Sequence, residues 1–295
     1  FIQTTYFTEI VKFAKNVLCE FGAVGYNERF DSGSLRHILV RKNHADTEYM
    51  VVLIVKSEDF IKKQDLDAAI NKIIKRYPKI VSVVLNINDK KGNTILGEKC
   101  ITVYGKDTIL DTLCESKFNI GAKSFYQVNH DQCEKLYTLA IESANLTKDD
   151  VIIDAYCGIG TIGIIASKYV NKVYGVEIVD EAIKNAKANA KLNKVSNISF
   201  VCAKAEEQIK KWMNEEIKPS VVFVDPPRKG CDKVFLETIV EMNINKVVYI
   251  SCDPATLARD LKYLLSNNYE LKTIKVVDLF PHTSHVETIA YLIKK

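Results

Sequence analysis

Cys252 is the side chain whose surroundings most strongly suggest catalysis. It follows the apolar run 247–250, which predicts a strand, and it comes just before Pro254, where a helix is expected to begin. Partial positive charge at a helix N-terminus lowers the pKa of a nearby thiol, so we predict a thiolate nucleophile at this position. A buried, inert thiol is the alternative. We favour that alternative for five other cysteines: Cys19, Cys100, Cys114, Cys133 and Cys202.

A glycine-rich segment further upstream suggests a nucleotide-like cofactor. The predicted strand 151–155 leads into the G-x-G-x-x-G segment Gly158–Gly163, and Glu177 ends the next predicted strand. This spacing is typical of dinucleotide-binding loops. Asp154 favours S-adenosylmethionine instead, because its carboxylate suits the amino and sulfonium groups of that cofactor. A dinucleotide loop usually follows a strand that is apolar up to the glycines, so that the pyrophosphate can approach the helix N-terminus. Glu177 is then expected to bind the ribose. An NAD-dependent oxidoreductase is the alternative.

The second part of the chain predicts a doubly wound sheet. From about residue 131, apolar runs of strand length alternate with segments of helical periodicity, which indicates a parallel sheet with helices on both faces. The last two runs, Glu270–Leu279 and Glu287–Ile293, are separated by a connection too short for a crossover, so we expect them to pair antiparallel. The predicted fold class is α/β, with the Rossmann-like layout of class I methyltransferases and a catalytic domain at residues 121–295.

Residues 1–120 follow a different pattern. A helix, two strands, a second helix and further strands predict a smaller α+β domain with an antiparallel sheet. Residues 1–130 carry 19 Lys and Arg against 15 Asp and Glu, whereas residues 131–295 carry 22 of each. The net charge of +4 therefore lies in the N-terminal part. This charge suggests a domain that faces a polyanion such as RNA, and a simple solvated surface is the alternative.

Composition excludes several classes of protein. The 47% hydrophobic and 26% charged residues are typical of a globular protein, and no apolar run is long enough to cross a membrane. The N-terminal segment lacks the pattern of a secretory signal, so we expect a cytoplasmic protein with reduced thiols. The eight cysteines include no Cys-x-x-Cys pair, so we predict no metal site.

The polar residues at the predicted strand ends should converge on one edge of the sheet. Ligands bind outside the carboxyl ends of the strands in doubly wound folds, and Asp154, Glu177, Asp225 and Cys252 occupy those ends. The last strand runs in the opposite direction, so its first residue, Glu287, belongs to the same edge. We therefore predict an active site that combines a thiol with several carboxylates.

Methylation of a pyrimidine carbon needs such a set of groups. Addition of a thiolate to C6 of uracil makes C5 nucleophilic, and a base must later remove the C5 proton so that the thiol can leave. Glu287 is the expected base, with His282 and His285 as competitors. Asp225 is followed by two prolines and Arg228 rather than by an aromatic residue, which argues against methylation of an exocyclic amine.

Six segments together resemble the S-adenosylmethionine-dependent RNA uracil-C5 methyltransferases, a family that makes 5-methyluridine in ribosomal or transfer RNA. The resemblance covers essentially the whole chain. It implies that Cys252 is the nucleophile, that Glu287 is the base and that Gln127 contacts the cofactor, and it identifies the segment containing Tyr156 and Thr161 as the cofactor loop. The segments are 34–41, 125–129, 154–161, 225–230 and the pair 251–260 and 280–288.

The resemblance also sets expectations for the rest of the protein. Family members commonly begin with a small β-barrel that binds RNA, and many carry a cysteine cluster for an iron–sulfur centre. Neither pattern is present in these 295 residues, so we expect a truncated or short variant. The intact central domain favours 23S rRNA over tRNA as the substrate, and we expect a monomer. A non-catalytic RNA-binding module is the second alternative.

Overall fold

The computed structural model describes residues 4–295, which divide into two compact units. The first unit extends to Asp111 and includes Asn119–Lys123, and the second comprises Thr112–Phe118 and Ser124–Lys295. The boundary that we expected from the sequence, between residues 120 and 121, falls within this interleaved stretch. No helix within residues 4–295 has the length and hydrophobicity needed to cross a membrane.

The first unit contains a four-stranded sheet with the order β1-β2-β3-β4. Its β2 strand is buried along its whole length, and both helices contribute apolar residues to the same core. The prediction of a purely antiparallel sheet is wrong, because β2 and β3 run parallel. The intervening helix α2 provides the crossover that a parallel pair requires. The elements are α1 Thr5–Glu20, β1 Leu35–Lys42, β2 Tyr49–Val55, α2 Lys63–Arg76, β3 Ile80–Ile87 and β4 Lys99–Gly105.

A short hairpin, β5 Thr108–Leu113 and β6 Ser116–Gly121, was not predicted from the sequence. Its two turn residues, Cys114 and Glu115, both have positive φ angles, of 47° and 59°. Such turns usually contain Asn or Gly, which tolerate this region of conformational space. The sequence therefore lacked the ordinary hairpin signal.

The second unit contains a seven-stranded sheet with the order β12-β13-β11-β10-β7-β8-β9. Strands β7 to β11 run parallel, and β13 is inserted antiparallel between β11 and β12, so the predicted doubly wound sheet with an antiparallel final strand is confirmed. The elements are α3 His130–Ala144, β7 Val151–Ala155, α4 Thr161–Ala166, β8 Lys172–Glu177, α5 Asp180–Leu192, β9 Ile198–Cys202, α6 Ala205–Asn214, β10 Val221–Val224, α7 Lys233–Glu241, β11 Lys246–Ser251, α8 Pro254–Ser266, β12 Tyr269–Val277 and β13 Glu287–Lys294.

Helices cover both faces of this sheet. Strand β10 shows the arrangement clearly, because Val221 and Phe223 belong to the core that contains α3, α4 and α5, whereas Val222 and Val224 belong to the core that contains α6, α7 and α8. Burial on both faces explains why the parallel strands are apolar runs rather than alternating patterns. The sheet edge at the carboxyl ends of β7, β8, β10 and β11 remains available for polar side chains.

A buried carboxylate fixes the loop that follows β10. Asp260 of α8 is only 2% exposed, and it accepts hydrogen bonds from the Tyr249 hydroxyl (2.6 Å) and from the Cys231 amide (2.9 Å). The Nε atom of Arg259 donates a further bond of 2.8 Å to Asp260. The carboxylate therefore ties strand β11, helix α8 and the loop after β10 together close to Cys252.

Replacement of Asp260 should destabilise the second unit strongly. Asp260→Ala leaves a buried hydroxyl, an amide and a guanidinium group without their acceptor, so we expect the free energy of unfolding to fall by about 3 kcal/mol. Urea denaturation followed by circular dichroism measures this change. The control is Asp232→Ala, which removes the exposed N-cap of α7 and should cost about 1 kcal/mol. Equal losses in the two variants would contradict the central role of Asp260.

Candidate active site

The polar residues predicted at the strand ends occupy one edge of the seven-stranded sheet. Asp154 is the penultimate residue of β7, and Glu177 is the last residue of β8. Asp225 and Cys252 directly follow β10 and β11. Glu287 begins the antiparallel strand β13. The direction of each strand therefore brings four acids and one thiol to the same edge, as the sequence predicts.

The glycine-rich loop after β7 is held by two of these carboxylates. The Oδ2 atom of Asp154 accepts a hydrogen bond of 2.8 Å from the amide of Gly163 in the first turn of α4. Glu177 accepts bonds from the amides of Gly158 (3.2 Å), Ile178 (2.8 Å) and Val179 (3.0 Å). Both side chains thus fix the loop, a structural role that the sequence did not reveal.

Asp154 keeps one oxygen without a partner. Its side chain is 1% exposed, and within residues 4–295 its Oδ1 atom forms no hydrogen bond. Burial raises the pKa of Asp154 to about 7, and the charge of Glu177 acts in the same direction, whereas the bond from Gly163 opposes the shift. An acid that is buried with an unused acceptor is suited to a ligand that carries a hydrogen-bond donor or a positive charge.

A cavity at this edge collects most of the expected cofactor-binding residues. Gln127, Tyr156, Thr161 and Asp225 all line it, whereas Glu177 does not and reaches it only through its bond to the backbone of Gly158. Aromatic and apolar side chains supply much of the remaining wall. The other lining residues are Leu113, Phe125, Tyr126, Cys133, Tyr137, Cys157, Gly158, Ile159 and Ile162.

Two residues of this wall are not expected from the sequence. Cys133, which the sequence predicts to be an inert core thiol, and Tyr137 both line the cavity. The two residues are four positions apart on α3 and therefore share a helix face. Their contribution could not be recognised from the sequence, because the same spacing is typical of ordinary core residues and both side chains are buried.

Cys252 and Glu287 lie next to the end of the same antiparallel ladder. The ladder between β11 and β13 ends at the pair Ser251–Thr288, and Cys252 and Glu287 are the residues that adjoin this pair. The charge of Glu287 acts on the Cys252 thiol and raises its pKa, as expected of neighbouring groups. Glu287 is 4% exposed, whereas Cys252 is partly accessible. The thiol can thus meet a ligand from solvent while the carboxyl group lies beneath the surface.

The prediction of a lowered thiol pKa is wrong for Cys252. Burial raises its pKa, the charges of Glu287 and Asp225 raise it further, and the charge of Arg228 and a hydrogen bond from the backbone act in the opposite direction. Helix α8 does begin at Pro254, but the carboxylate of Asp253 accepts hydrogen bonds from the amides of Ala255 (2.9 Å) and Thr256 (3.1 Å). The N-cap therefore already occupies the positive end of the helix.

Arg228 provides the positive charge beside the thiol and the acids. Its Nη2 atom lies 3.3 Å from the Nε2 atom of His285, and its charge lowers the pKa values of Cys252 and Glu287 against the larger effect of burial. The sequence suggested Arg228 only as a feature that excludes other substrates. Its contact with His285 makes this histidine a partner of Arg228, whereas His282 is exposed in the same loop.

The acids at this edge repel one another. Burial raises the pKa of Asp225 to about 8, and the charges of Glu287 and Asp154 contribute to the shift. Burial also raises the pKa of Glu287. Each carboxyl group thus makes ionisation of its neighbours less favourable, and the site has a high affinity for protons and for other cations.

Asp225→Asn should change the pH dependence of stability. The folded protein holds a proton on Asp225 that the unfolded chain loses near pH 4, so stability falls as the pH rises towards the folded pKa of about 8. Asparagine removes this penalty. We expect the unfolding free energy of the variant to increase relative to wild type by about 2–4 kcal/mol between pH 5 and pH 8. Thermal or urea unfolding at several pH values provides the measurement.

Asp278→Asn is the matched control for this experiment, because Asp278 is exposed. Its difference from wild type should stay nearly constant across the same pH range. A constant difference for Asp225→Asn as well would show that Asp225 is not protonated in the folded protein.

Comparison with known sequences identifies the family to which this chain is similar. The family described as tRNA (uracil-5-)-methyltransferase matches residues 98–295. An uncharacterized RNA methyltransferase of Staphylococcus aureus strain MSSA476 is 44% identical over 289 residues, which are 98% of this chain and 63% of that protein. One from Clostridium acetobutylicum is 48% identical and covers 100% of this chain and 63% of its own length. The chain thus spans less than two thirds of these relatives.

Solved structures agree with the fold. The tRNA (uracil-54, C5)-methyltransferase of Pyrococcus abyssi, solved in complex with S-adenosyl-L-homocysteine, superposes with a TM-score of 0.75 and 28% identity, over 95% of this chain and 66% of that one. Trm5b from Pyrococcus abyssi shares only the fold, with a TM-score of 0.53 and 16% identity over 83% of this chain and 72% of that one. The fold is that of class I methyltransferases, and the chain belongs to the tRNA (uracil-5-)-methyltransferase family.

Proposed function

We propose that this protein is an RNA uracil-C5 methyltransferase that uses S-adenosylmethionine as methyl donor and Cys252 as a covalent nucleophile. The observation that carries this proposal is the position of Cys252 and Glu287 at the end of the β11–β13 ladder, where both adjoin its last pair, Ser251–Thr288, together with a cavity lined by Asp225. A thiol and a buried base on one edge are the two groups that methylation at C5 of a uracil requires.

The cavity residues suit S-adenosylmethionine better than a dinucleotide. Asp225 lines the cavity and offers a carboxyl group to the amino or sulfonium group of this cofactor, whereas Asp154 does not line the cavity but keeps a buried oxygen without a hydrogen-bond partner close to the glycine-rich loop. Gln127, Tyr156 and Thr161 would complete its binding site, with Glu177 holding the loop behind them. The first turn of α4 already has its Gly163 amide bonded to Asp154, which disfavours a pyrophosphate at that helix end.

Cys252 has the position of the nucleophile. When bound, S-adenosylmethionine supplies the methyl group that the uracil C5 receives. The thiolate of Cys252 would first form a bond to C6 of the uracil, and the guanidinium group of Arg228 would stabilise the negative charge that this step requires. Because the pKa of Cys252 is raised, formation of the thiolate depends on Arg228 and on the neutral state of Asp225.

Glu287 has the position of the base. After methyl transfer, its carboxylate would accept the C5 proton, and the bond between C6 and the sulfur of Cys252 would break as the double bond forms again. Burial raises the pKa of Glu287, which makes it a stronger base than an exposed carboxylate. Neither histidine offers the same burial, since His282 and His285 are both exposed.

The preferred RNA remains a prediction. The sequence favours 23S rRNA, whereas the structurally similar protein from Pyrococcus abyssi acts on a tRNA uracil. Transcripts of both RNA classes therefore belong in every activity assay. The monomeric state of the protein is also a prediction.

RNA that contains 5-fluorouridine should trap the protein in a covalent adduct. Fluorine at C5 blocks the removal of the proton, so the bond between Cys252 and C6 cannot break after methyl transfer. We expect an RNA–protein band that survives denaturing electrophoresis when wild-type protein, S-adenosylmethionine and fluorinated 23S rRNA or tRNA transcripts are combined. Cys252→Ala should abolish this band and all methylation.

Cys202→Ala is the control, because Cys202 is an exposed thiol on another strand of the same unit. It should form as much adduct as the wild-type protein. An adduct that persists in Cys252→Ala would exclude the proposed nucleophile. Binding of RNA without adduct or turnover by wild type would favour a non-catalytic RNA-binding module, and binding of NAD without S-adenosylmethionine would favour an oxidoreductase.

Glu287→Gln should trap the adduct on ordinary RNA. The amide cannot accept the C5 proton, so methyl transfer proceeds while release slows by about 100-fold or more. The measurement follows the methylated RNA–protein complex over time by denaturing electrophoresis with labelled methyl donor. Glu270→Gln, a change in an exposed ion pair on the neighbouring strand β12, should release product at the wild-type rate. Rapid release by Glu287→Gln would assign the base to another residue.

A further inference from the structure

A second cavity lies away from the site described above. It is formed by the loop 229–232, the first turns of α7 and the middle of α8, and we call it the α7–α8 groove. Its volume of about 630 Å³ falls in the range that accommodates small organic ligands. The residues that matter most for its charge are Lys229, Lys233, Arg259 and Lys262, and Tyr263 contributes an aromatic wall.

Two of the four cations in the groove are not engaged elsewhere. Lys233 forms an ion pair with Glu237, and Arg259 forms one with Asp260. Within residues 4–295, the ammonium groups of Lys229 and Lys262 have no hydrogen bond or ion pair, and both side chains are exposed. The two unengaged lysines therefore leave the groove with positive charge.

The acids in the groove are already used inside the protein. Asp260 accepts bonds from Tyr249, Cys231 and Arg259, and Asp232 caps α7 by accepting a bond of 2.8 Å from the Val234 amide. Neither carboxylate is directed by these contacts towards a ligand. The groove thus favours an anion over a cation.

The backbone beside Lys229 is held in one position. Gly230 has a φ angle of 77°, and a Cβ atom there would lie 2.4 Å from Nη2 of Arg259 and 2.6 Å from Oδ2 of Asp260. The same Nη2 atom donates a bond of 2.9 Å to the Lys229 carbonyl. Only glycine fits this contact, so the loop presents Lys229 from a fixed backbone.

The groove and the candidate active site are built from the same two segments of the chain. Lys229 directly follows Arg228, whose charge acts on Cys252 and on Asp253. Helix α8, which supplies Arg259 and Lys262, begins just after these same residues. The loop after β10 and helix α8 thus contribute residues both beside Cys252 and to the groove, so a polymer that extends from Cys252 along these two elements would meet Lys229 and Lys262.

We propose that the α7–α8 groove binds the sugar–phosphate backbone of the RNA strand beside the target uridine, through Lys229 and Lys262. The proposal rests on the RNA methyltransferase function proposed above. Lysines bind phosphate as point charges without distinguishing bases, so the groove would strengthen binding of every RNA sequence and would not select the uridine.

The double variant Lys229→Gln/Lys262→Gln tests this proposal in the full chain. Each phosphate contact to a single strand contributes about 0.7 to the slope of log Kd against log salt concentration, so loss of two contacts should reduce the slope by about 1.4. The ratio of variant to wild-type Kd should then fall about sevenfold between 50 and 200 mM salt. Fluorescence anisotropy with a labelled single-stranded RNA that wild type methylates gives these values.

Two further measurements separate this role from a structural one. The kcat at saturating RNA and the affinity for S-adenosylmethionine should equal those of wild type, while KM for RNA rises. Lys210→Gln/Lys218→Gln is the matched control, because it removes two exposed lysines from α6 and the loop after it, outside the groove. This control should leave the salt slope unchanged.

The outcomes distinguish the two proposals. If wild type methylates RNA but the groove variant keeps the wild-type salt slope, the groove does not bind RNA and the inference is overturned. The same result is expected if the ligand of the groove is an acidic protein or a free nucleotide. An equal loss of slope in the control variant would also overturn it, because the effect would then come from overall charge. If wild type neither binds nor methylates RNA, the proposed function itself fails.

Discussion

The antiparallel insertion of β13 between β11 and β12 is the constraint on which the active site depends. A parallel strand at this position would bring its carboxyl end to the functional edge, and Glu287, as the first residue, would lie at the opposite end of the sheet. Because β13 runs antiparallel to β11, Glu287 lies at the functional edge, near Cys252, which follows β11. The hydrogen-bond ladder between β11 and β13 thereby brings the residues that adjoin its last pair, Cys252 and Glu287, to the same end of the two buried strands.

Burial then determines the electrostatics of this edge. Desolvation is the largest influence on the pKa values of Asp154, Asp225, Glu287 and Cys252, and in every case it favours the neutral form. Arg228 is the cation that opposes the shifts of Cys252 and Glu287. Such a cluster binds a positively charged ligand readily, because the ligand relieves the repulsion between the acids. A sulfonium cofactor satisfies this requirement and a pyrophosphate does not.

The sequence allowed much of this arrangement to be predicted, and the successes have one physical origin. Apolar runs and their spacing determine the strands, and strand direction determines which ends meet, so Asp154, Asp225, Cys252 and Glu287 could be assigned to one edge. The failures involve contacts that leave no periodic pattern in the sequence. The parallel pairing of β2 with β3 depends on how a helix crosses, and the bonds of Glu177 to three amides depend on the local course of the backbone.

The incorrect prediction of the Cys252 pKa shows why a motif that suggests a nucleophile does not reveal how its thiol would be activated. The sequence places a helix start after the thiol, but the same helix start has its own N-cap in Asp253, whose carboxylate engages the amides that would otherwise favour a thiolate. In the proposed mechanism, activation would therefore come from Arg228 and from the neutral state of Asp225. Glu287 could not keep the proton of Cys252, because it would have to be unprotonated to accept the proton from C5. The thiol proton would consequently leave the edge before methyl transfer, and the partly accessible thiol of Cys252 can release it to solvent.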